Sequence, residues 1–263
     1  MASSIAHFLA CFTSWVDIDL SKAFAIFPDQ DSGCRSYGIE LEGARWFVKV
    51  ATSAGSAESL RRAIAFHRAV THPVIVAPHH LHDGGGENVR MIFPWHDGEV
   101  LNAATRQGSD RSGLLRFQTQ PLDVVLGAAA AILDAHLSVT AAGYVAVDLY
   151  DGAFLWDEVT RTMRLIDLDE YRPGPFTVSG ERLPGSTSYM APEELRHGGT
   201  IDERTTVFGL GRALHHLIEG HDRWRGSARQ RGIVARATAT DPNLRFPSVA
   251  DLVTTWTATP NPP

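Results

Sequence analysis

The chain contains 263 residues, of which 44% are hydrophobic, 21% charged and 9% aromatic. This composition is typical of a soluble globular protein and excludes a disordered chain, a collagen and a fibrous repeat. The 24 Lys and Arg against 30 Asp and Glu leave a formal charge of -6, which provides no general attraction to nucleic acid or anionic lipid. We therefore expect no nucleic-acid or membrane partner, and any phosphate must bind at a local site.

The N-terminal residues predict neither a leader peptide nor a membrane segment. Residues 5–12 are apolar, but they contain His7 and are followed by acidic residues rather than by a cleavage site. No run reaches the roughly 18 apolar residues that a membrane-spanning helix needs. The two cysteines, Cys11 and Cys34, are too few for a disulfide framework and favour a reducing compartment. The sequence therefore indicates a cytoplasmic protein.

The first third of the chain predicts a β-rich structure with one main helix. Alternating segments at 37–41 and 45–50 flank Glu42 and Gly43 and predict a β-hairpin. Ser56 is expected to cap a helix whose apolar residues recur at helical spacing as far as the break at Pro73. Two further strands are predicted at 74–76 and 89–93.

After Pro94 the sequence predicts mainly helices. Residues 122–137 form a long segment rich in Ala and Leu, and residues 207–219 are also helical in pattern. The sequence therefore predicts an α+β fold with two lobes: a β-rich N-lobe over residues 1–96 and a mostly helical C-lobe over residues 97–263. The hinge is expected near residues 94–98, with a cleft between the lobes.

The first candidate chemistry is phosphate binding near the predicted hairpin. A glycine-rich turn at residues 33–38 would let backbone N–H groups approach phosphate oxygens, and Lys49 on the adjoining strand would add a positive charge. The alternative is an ordinary solvated lysine. The side chain of Arg35 either caps the phosphates or points to water. The candidate nucleotide-binding residues of this region are Gly33, Arg35, Ser36, Tyr37, Gly38 and Lys49.

Two carboxylates stand where phosphoryl transfer would need them. Asp148 follows the long helix, and Asp167 follows a predicted strand pair at 153–156 and 163–166. A hairpin between the two acids would bring them to the same end. One carboxylate could then orient an attacking hydroxyl while the other holds a divalent cation. The alternative is a pair of turn carboxylates.

Read in order, residues 32–256 resemble the eukaryotic-like protein kinase family. Residues 47–49 (FVK) resemble its Val-Ala-Ile-Lys strand, and residues 72–76 (HPVIV) resemble the segment after helix C. Residues 185–195 (GSTSYMAPEEL) are closely similar to the end of the activation segment in bacterial Ser/Thr kinases. The resemblance implies a bilobal kinase-like fold, related to that of antibiotic and aminoglycoside phosphotransferases. It also implies transfer of the γ-phosphate of ATP or GTP with Mg²⁺.

The resemblance assigns roles to individual residues. Asp148 falls on the catalytic-loop aspartate and Asp167 on the metal-binding aspartate. Asp169 replaces the glycine that follows, and its carboxylate, like that of Asp151, could supply a further oxygen to Mg²⁺. On the nucleotide side the resemblance implies a gatekeeper and hinge residues whose backbone reads the base: Phe93, Pro94, Trp95 and His96. On the acceptor side it implies Asp148, Tyr150, Asp151 and Ser186.

Two ion pairs are also implied by the resemblance. Glu193 and Arg245 are expected to form a buried, structural pair in the C-lobe. Ala63 occupies the position of the helix C glutamate, which leaves Glu58 as the only acidic candidate for Lys49.

Departures from the family pattern leave three functions open. In the catalytic loop, Ala146 and Val147 replace the usual His-Arg pair, Tyr150 replaces the Lys and Ala153 replaces the Asn. Thr206 replaces the Asp of helix F. The missing arginine at Val147 and the missing lysine at Tyr150 favour a kinase that phosphorylates a small-molecule hydroxyl over a protein Ser/Thr kinase. Ser186 and the intact segment at 185–195 favour the protein kinase. A pseudokinase scaffold is the third reading.

Overall fold

The structure is a computed structural model that describes residues 15, 18–28, 30, 32–105, 108–220 and 223–259. The predicted N-terminal segment with Cys11 lies outside the described residues. The described chain is a mixed α/β protein with a sheet-rich part and several helices, which is compatible with the predicted α+β class.

The chain divides into two compact units. The first contains the described residues up to Ile64 together with Ala77–His96 and Thr105. The second contains Ala65–Val76, Asp97–Ala104 and the described residues from Gly108 onward. The chain therefore passes from the first unit to the second between His96 and Asp97, and residues 65–76 cluster with the second unit.

The first unit contains a five-stranded antiparallel sheet with the order β1-β2-β3-β5-β4. Glu42 and Gly43 join β2 to β3 with φ angles of 54° and 77°, which suits a tight two-residue turn. The predicted hairpin and the strand at 89–93 are therefore confirmed. The strands are β1 (Ala25–Phe27), β2 (Cys34–Leu41), β3 (Ala44–Ala51), β4 (His80–Asp83) and β5 (Val89–Pro94).

The predicted glycine-rich turn at residues 33–38 is wrong in its local structure. Residues 34–41 pair with β3 along their whole length, and Ser36, Tyr37 and Gly38 also pair with β1 on the other side. Only Gly33, with φ at 72°, lies in the connection between β1 and β2. The central part of this strand is held in two ladders, so it is not a loop that can wrap around a phosphate.

Helix α1 (Ala54–Ala69) covers one face of this sheet. Ser53 Oγ accepts from the Ser56 N–H at 3.2 Å, and Ser56 Oγ accepts from the Ser53 N–H at 3.0 Å. The helix therefore begins two residues before the predicted cap, because two serines satisfy its first N–H groups reciprocally. Its apolar face packs with buried residues of the sheet in one cluster: Cys34, Ala51, Ala57, Leu60, Ala63, Ile64, Val89 and Met91.

The second unit is built around helix α3, which spans Leu122–Ala141. Nine of its residues are buried, among them Ile132 and His136. Its length and apolar composition would also suit a membrane span, although half of that apolar stretch is buried inside the protein. The elements from residue 97 onward are β6 (Glu99–Val100), β7 (Ala103–Thr105), β8 (Gly108–Asp110), α2 (Ser112–Phe117), α3, β9 (Tyr144–Val145), β10 (Phe154–Asp157), β11 (Thr162–Leu165), β12 (Arg172–Pro173), β13 (Phe176–Thr177), β14 (Thr200–Ile201), α4 (Glu203–Ile218), β15 (Glu219–Gly220), β16 (Arg223–Trp224), α5 (Ala228–Ala237) and α6 (Val249–Thr257).

Two short segments are held by the second unit in ways that the sequence did not predict. Residues 74–76 form no strand, and Ile75 makes only an isolated bridge to Leu165 of β11. The segment after residue 170 is held by strand pairs, β12 with β9 and β13 with β14. Apolar side chains from this segment and its surroundings form a separate cluster: Val145, Val147, Val178, Leu183, Met190 and Ile201.

Candidate active site

Lys49 of β3 is buried in the first unit, with only 3% of its surface exposed. Its cross-strand neighbours are Ser36 on β2 and Met91 on β5, and both are fully buried. A lysine is almost never buried to this degree unless its charge is compensated. The alternative of a solvated strand lysine is therefore wrong, and Lys49 stays a candidate for binding an anion.

Aromatic side chains surround Lys49 on the same face of the sheet. Phe27 is paired across the sheet with Ser36, which is itself paired with Lys49. Phe47, two residues before Lys49 on β3, is the direct cross-strand partner of Phe93. The ring of Phe47 lies 5.8 Å from that of Phe27 and 6.5 Å from that of Phe93. The sequence predicted a role for Phe93 but missed Phe27 and Phe47, because a role in a shared aromatic face becomes visible only once the strand register is known.

Gly38 lies in the same face and is covered by two further rings. A Cβ at this position would lie 2.7 Å from the ring of Phe24 and 2.8 Å from the ring of Trp95. The absence of a side chain therefore permits close packing within the sheet rather than a phosphate-binding turn. The backbone of Trp95 is fixed by its amide N–H, which donates to the Arg45 carbonyl at 3.0 Å. Pro94 and His96, beside Trp95, are both half-buried.

Two other predicted nucleotide-binding residues lie on the opposite face of β2. Successive side chains of a strand alternate between its faces, so Arg35 and Tyr37 point away from the face that carries Ser36 and Lys49. Arg35 is exposed, which agrees with the solvated alternative. Tyr37 packs against the cluster that contains Trp15. The Ser36 hydroxyl donates to Gln30 Oε1 at 2.7 Å.

Glu58 does not fit the predicted pairing with Lys49. Its side chain is 77% exposed and lies 3.4 Å from Arg62, one helical turn along α1. A carboxylate in water is a poor partner for an ammonium buried beneath the helix. Helical periodicity explains the difference, because position 58 lies on the solvent face whereas Leu60 and Ile64 face the sheet.

In the second unit, Asp148 and Asp167 share an unusual backbone conformation. Their φ angles are 59° and 56°, in the left-handed region. Outside glycine this region is sparsely populated, although Asp adopts it more readily than most residues. Glu42 and Arg161 also adopt it, in the turns of two hairpins, whereas Asp148 and Asp167 lie in loops, and residues in this region cluster at functional sites. The two acids flank the predicted hairpin, which is confirmed as β10 paired with β11. The bond from the Ile166 N–H to the Ala153 carbonyl at 2.9 Å closes the end of the hairpin from which both loops depart.

The loop of Asp148 is held by helix α4 and by the segment at 185–190. The Ala146 N–H donates to Thr206 Oγ1 at 3.0 Å, so this threonine anchors the loop to helix α4. A Cβ on Gly185 would lie 3.3 Å from Asp148 Oδ1, which places that backbone directly against the carboxylate. The charge of Asp148 also contributes, after burial, to raising the pKa of Tyr171.

Asp151 is tied into a buried network. Its Oδ1 accepts from Asn102 at 2.9 Å and its Oδ2 accepts from Arg111 Nε at 2.6 Å. Only 1% of Asp151 is exposed. Because both oxygens are engaged, the structure does not support the prediction that Asp151 offers an oxygen to Mg²⁺ or to the acceptor. Tyr150, which precedes it, is also buried.

The two proposed metal ligands, Asp167 and Asp169, differ in exposure. Asp167 is exposed, whereas Asp169 is buried. Among the described residues, no three His, Cys, Asp or Glu side chains form a group that could hold a metal. Mg²⁺ nevertheless needs no such group, since it is usually held by one or two carboxylates together with substrate phosphates and water. The exposed carboxylate of Asp167 fits that mode.

A small cavity beside Asp148 has room for about one water molecule. Ser186 is half-buried at this cavity, and its hydroxyl lies 3.0 Å from that of Ser188. The cavity also contains Glu194, a buried carboxyl that the sequence did not single out. Its lining residues are Ala146, Asp148, Leu149, Ser186, Tyr189, Met190, Glu194, Thr205 and Gly209.

Glu193 and Arg245 form the buried ion pair that the sequence predicts. Arg245 Nη1 donates to Oε1 at 2.6 Å and Nη2 donates to Oε2 at 2.9 Å. Thr205 Oγ1 donates to the same carboxylate at 2.9 Å. Burial raises the pKa of Glu193, but the hydrogen bonds and charge of Arg245 outweigh burial and lower that pKa below its ordinary value. The pair joins the end of the segment at 185–195 to the helical core.

Comparison with known proteins assigns no family to the chain. Neither a scan against models of protein families nor a search of curated proteins finds a match. The resemblance of residues 185–195 to the kinase activation segment therefore stays a prediction.

Proposed function

We propose that the protein is a phosphotransferase of the kinase-like class, which moves the γ-phosphoryl group of ATP or GTP to a hydroxyl acceptor with Mg²⁺. In this proposal the first unit corresponds to the N-lobe and the second unit to the C-lobe. The observation that carries the proposal is the left-handed backbone of both Asp148 and Asp167, in the two loops that depart from the same end of one hairpin. Backbone strain of this kind is retained where a side chain must be held in one direction.

The proposed roles follow from the environment of each residue. Asp148 orients the acceptor hydroxyl and receives its proton, and Asp167 binds the cation on the phosphates. Lys49 neutralises phosphate charge, and its burial supports this role because an ammonium in a low-dielectric site interacts strongly with an anion. Mg²⁺, when bound, would neutralise charge on the transferred group. Most of the rate enhancement would then come from positioning and electrostatics.

We favour a small-molecule alcohol as the acceptor. In the segment before Asp148, Val147 is buried in an apolar cluster, which leaves no arginine there to sense a phosphorylated loop. Tyr150, at the place of the lysine that contacts the transferred phosphate in protein kinases, is buried as well. The alternative, a protein Ser/Thr kinase, is favoured by Gly185, whose backbone lies against Asp148 at the start of a segment that can serve as a peptide platform.

Transfer assays with nucleotide labelled in the γ-phosphate test the proposal. We expect Mg²⁺-dependent label transfer to a member of an alcohol panel, and the panel should include aminoglycosides, other small alcohols and a generic protein substrate. Asp148→Asn should lower the transfer rate by about 10²–10⁴-fold. Its nucleotide binding should persist, measured as the rise in melting temperature with Mg²⁺-ATP or Mg²⁺-GTP.

Glu181→Gln is the matched control, because Glu181 is an exposed carboxylate in the same part of the chain. It should leave transfer unchanged. Label on the protein substrate but on no small alcohol would select the protein kinase. A thermal shift without any transfer would select a nucleotide-binding pseudokinase. The absence of both transfer and thermal shift would refute the proposal.

A further inference from the structure

Arg212 of helix α4 lies beside the segment whose backbone adjoins Asp148. Its Nε donates to the Ser188 carbonyl at 2.6 Å, and its Nη2 lies 3.2 Å from Nε2 of His216, one helical turn along α4. Among the described residues, no carboxylate forms an ion pair with Arg212. Gly209, about one turn before Arg212, lines the cavity beside Asp148. A guanidinium that no described carboxylate neutralises therefore lies about one helical turn from this cavity.

The groups around Arg212 add positive charge rather than neutralising it. The pKa of His216 is lowered from 6.5 to about 3, by burial first and then by neighbouring positive charges, among which those of Arg111 and Arg212 act most strongly. His216 is therefore neutral at physiological pH and can accept from Arg212 without balancing its charge. Two guanidinium groups thus act on one imidazole, which brings both of them to the same region of the second unit.

The carboxylates of this region are engaged by other groups. Asp151 Oδ2 accepts from Arg111 Nε at 2.6 Å. Glu219 lies 3.0 Å from His215 Nε2. The side chain of Arg111 nevertheless stays 36% exposed, so a ligand can approach it from solvent. The charge of Arg212 is therefore uncompensated in a region where these carboxylates already have partners.

Tyr189 adds a donor that the protein leaves unused. Its ring lies 4.8 Å from that of His216, and the residue lines the cavity beside Asp148. Its phenol oxygen is buried and makes no hydrogen bond of ordinary geometry with any described residue, although Arg111 and Asp151 lie close enough to act on its pKa. Burial raises that pKa well above 10, so the phenol stays protonated at neutral pH. The cluster is therefore richer in donors than in acceptors, which suits a ligand that accepts hydrogen bonds.

We propose that the cluster of Arg111, Tyr189, Arg212 and His216 binds an anionic group of the acceptor. The inference rests on the proposed function and names its substrate class, an alcohol that also bears a carboxylate or a phosphate. The hydroxyl of this acceptor would reach Asp148, while its anionic group, several bonds away, meets the guanidinium of Arg212. Ionised carboxylates and phosphates accept hydrogen bonds, and the paired N–H groups of arginine match the geometry of both. Arg212 is then a specificity-determining residue.

Anion binding has a test that needs no catalysis. Side-chain ¹⁵Nε–Hε signals of arginine are recorded, and the signal of Arg212 is the one that Arg212→Lys removes. Titration with glycerol phosphate or glycerate at low salt should shift this signal saturably, whereas uncharged glycerol should not. The ligand that binds more tightly shows whether the site prefers phosphate or carboxylate. The absence of a saturable shift with both anions would overturn the inference and leave the proposed phosphotransfer standing.

The role in recognition has its own readout, the separate effects on KM and kcat. For an anionic acceptor that the protein phosphorylates, Arg212→Gln should raise KM by about 10–100-fold, the range for a hydrogen bond to a charged group. The value of kcat should change little, because the lost contact is remote from the reacting atoms. Arg212→Lys keeps the charge and should recover part of the loss. The matched control is Arg229→Gln, which removes an exposed arginine of helix α5 and should keep the wild-type KM.

The outcomes separate the inference from the proposed function. A rise in KM that is confined to anionic acceptors supports the inference, whereas an equal rise for an uncharged analogue indicates a structural role and overturns it. Transfer to uncharged alcohols or to peptides alone also overturns it, although the phosphotransfer itself then stands. If no acceptor is phosphorylated, the proposed function fails and the assignment of an acceptor fails with it. The titration then still decides whether the cluster binds anions.

Discussion

Removal of one partner from the Glu193–Arg245 pair should destabilise the second unit strongly. The side chain of Arg245 has no exposed surface and that of Glu193 has 4%. In Arg245→Met, the Glu193 carboxylate keeps only the Thr205 hydroxyl among these partners and loses its compensating charge. Breaking a buried pair in this way costs about 3–5 kcal/mol of unfolding free energy. The magnitude comes from the uncompensated charge, since well-packed apolar replacements of whole pairs are often neutral.

The Arg61–Asp83 pair is the matched comparison in the same protein. Its atoms approach within 2.8 Å, but its side chains are 37% and 42% exposed. Water already solvates these charges, so Arg61→Met should cost far less unfolding free energy than Arg245→Met. The two variants therefore separate the effect of burial from the effect of an ion pair as such.

The assay is urea unfolding at neutral pH for the wild type, both single variants of the buried pair and the double variant Glu193→Gln/Arg245→Met. The double variant should lose less stability than the sum of the two single losses, because neither partner is left charged and alone. The contribution of the pair should also fade as the pH falls below about 4.5, since the pKa of Glu193 is lowered by folding from its ordinary 4.5. A loss below about 1 kcal/mol for Arg245→Met, or strictly additive losses, would refute this reasoning.

Three further predictions concern other sites of the second unit. Burial lowers the pKa of His136 from 6.5 to about 4, so the wild type should lose up to about 3 kcal/mol of stability between pH 6.5 and 4. His136→Gln should lack this pH dependence in the same unfolding assay. Gly98→Ala should lower the melting temperature and cost about 1–3 kcal/mol, because φ is 145° and the new Cβ would lie 2.8 Å from the Trp156 carbonyl oxygen. Thr206→Val should cost about 1–3 kcal/mol by leaving the buried Ala146 N–H without its acceptor. Thr206→Ser keeps a hydroxyl and should therefore retain most of the stability. Equal stability of the Val and Ser variants would contradict the anchoring role.

The sequence predicted the features that depend on local pattern. The hairpin around Glu42 and Gly43 was recognisable because a turn pair stood between two alternating segments. The hairpin between Asp148 and Asp167 had the same kind of signal. The Glu193–Arg245 pair was predicted from two separate motifs, and the structure brings the two residues together across the second unit.

The predictions that were wrong or missing share a physical cause: each feature depends on contacts between residues that are distant in sequence. Strand β1 has only three residues, too few for a visible alternation, and without it residues 33–38 resembled a glycine-rich turn. Glu58 was selected by position in the chain, although the face of a helix that becomes buried depends on the sheet it meets. Glu194 carried no signal because the cavity that it lines is formed by residues as distant in sequence as Ala146 and Gly209.

Cys34 has a consequence for experiments on the two units. Its thiol is buried between helix α1 and the sheet of the first unit, and the sequence after it contains no further cysteine. With Cys11 replaced by Ser, the rate at which a maleimide labels the protein would measure how often the first unit opens locally. In that variant the labelling rate of Cys34 reports local opening of the first unit alone, because the second unit contains no cysteine for the maleimide to label.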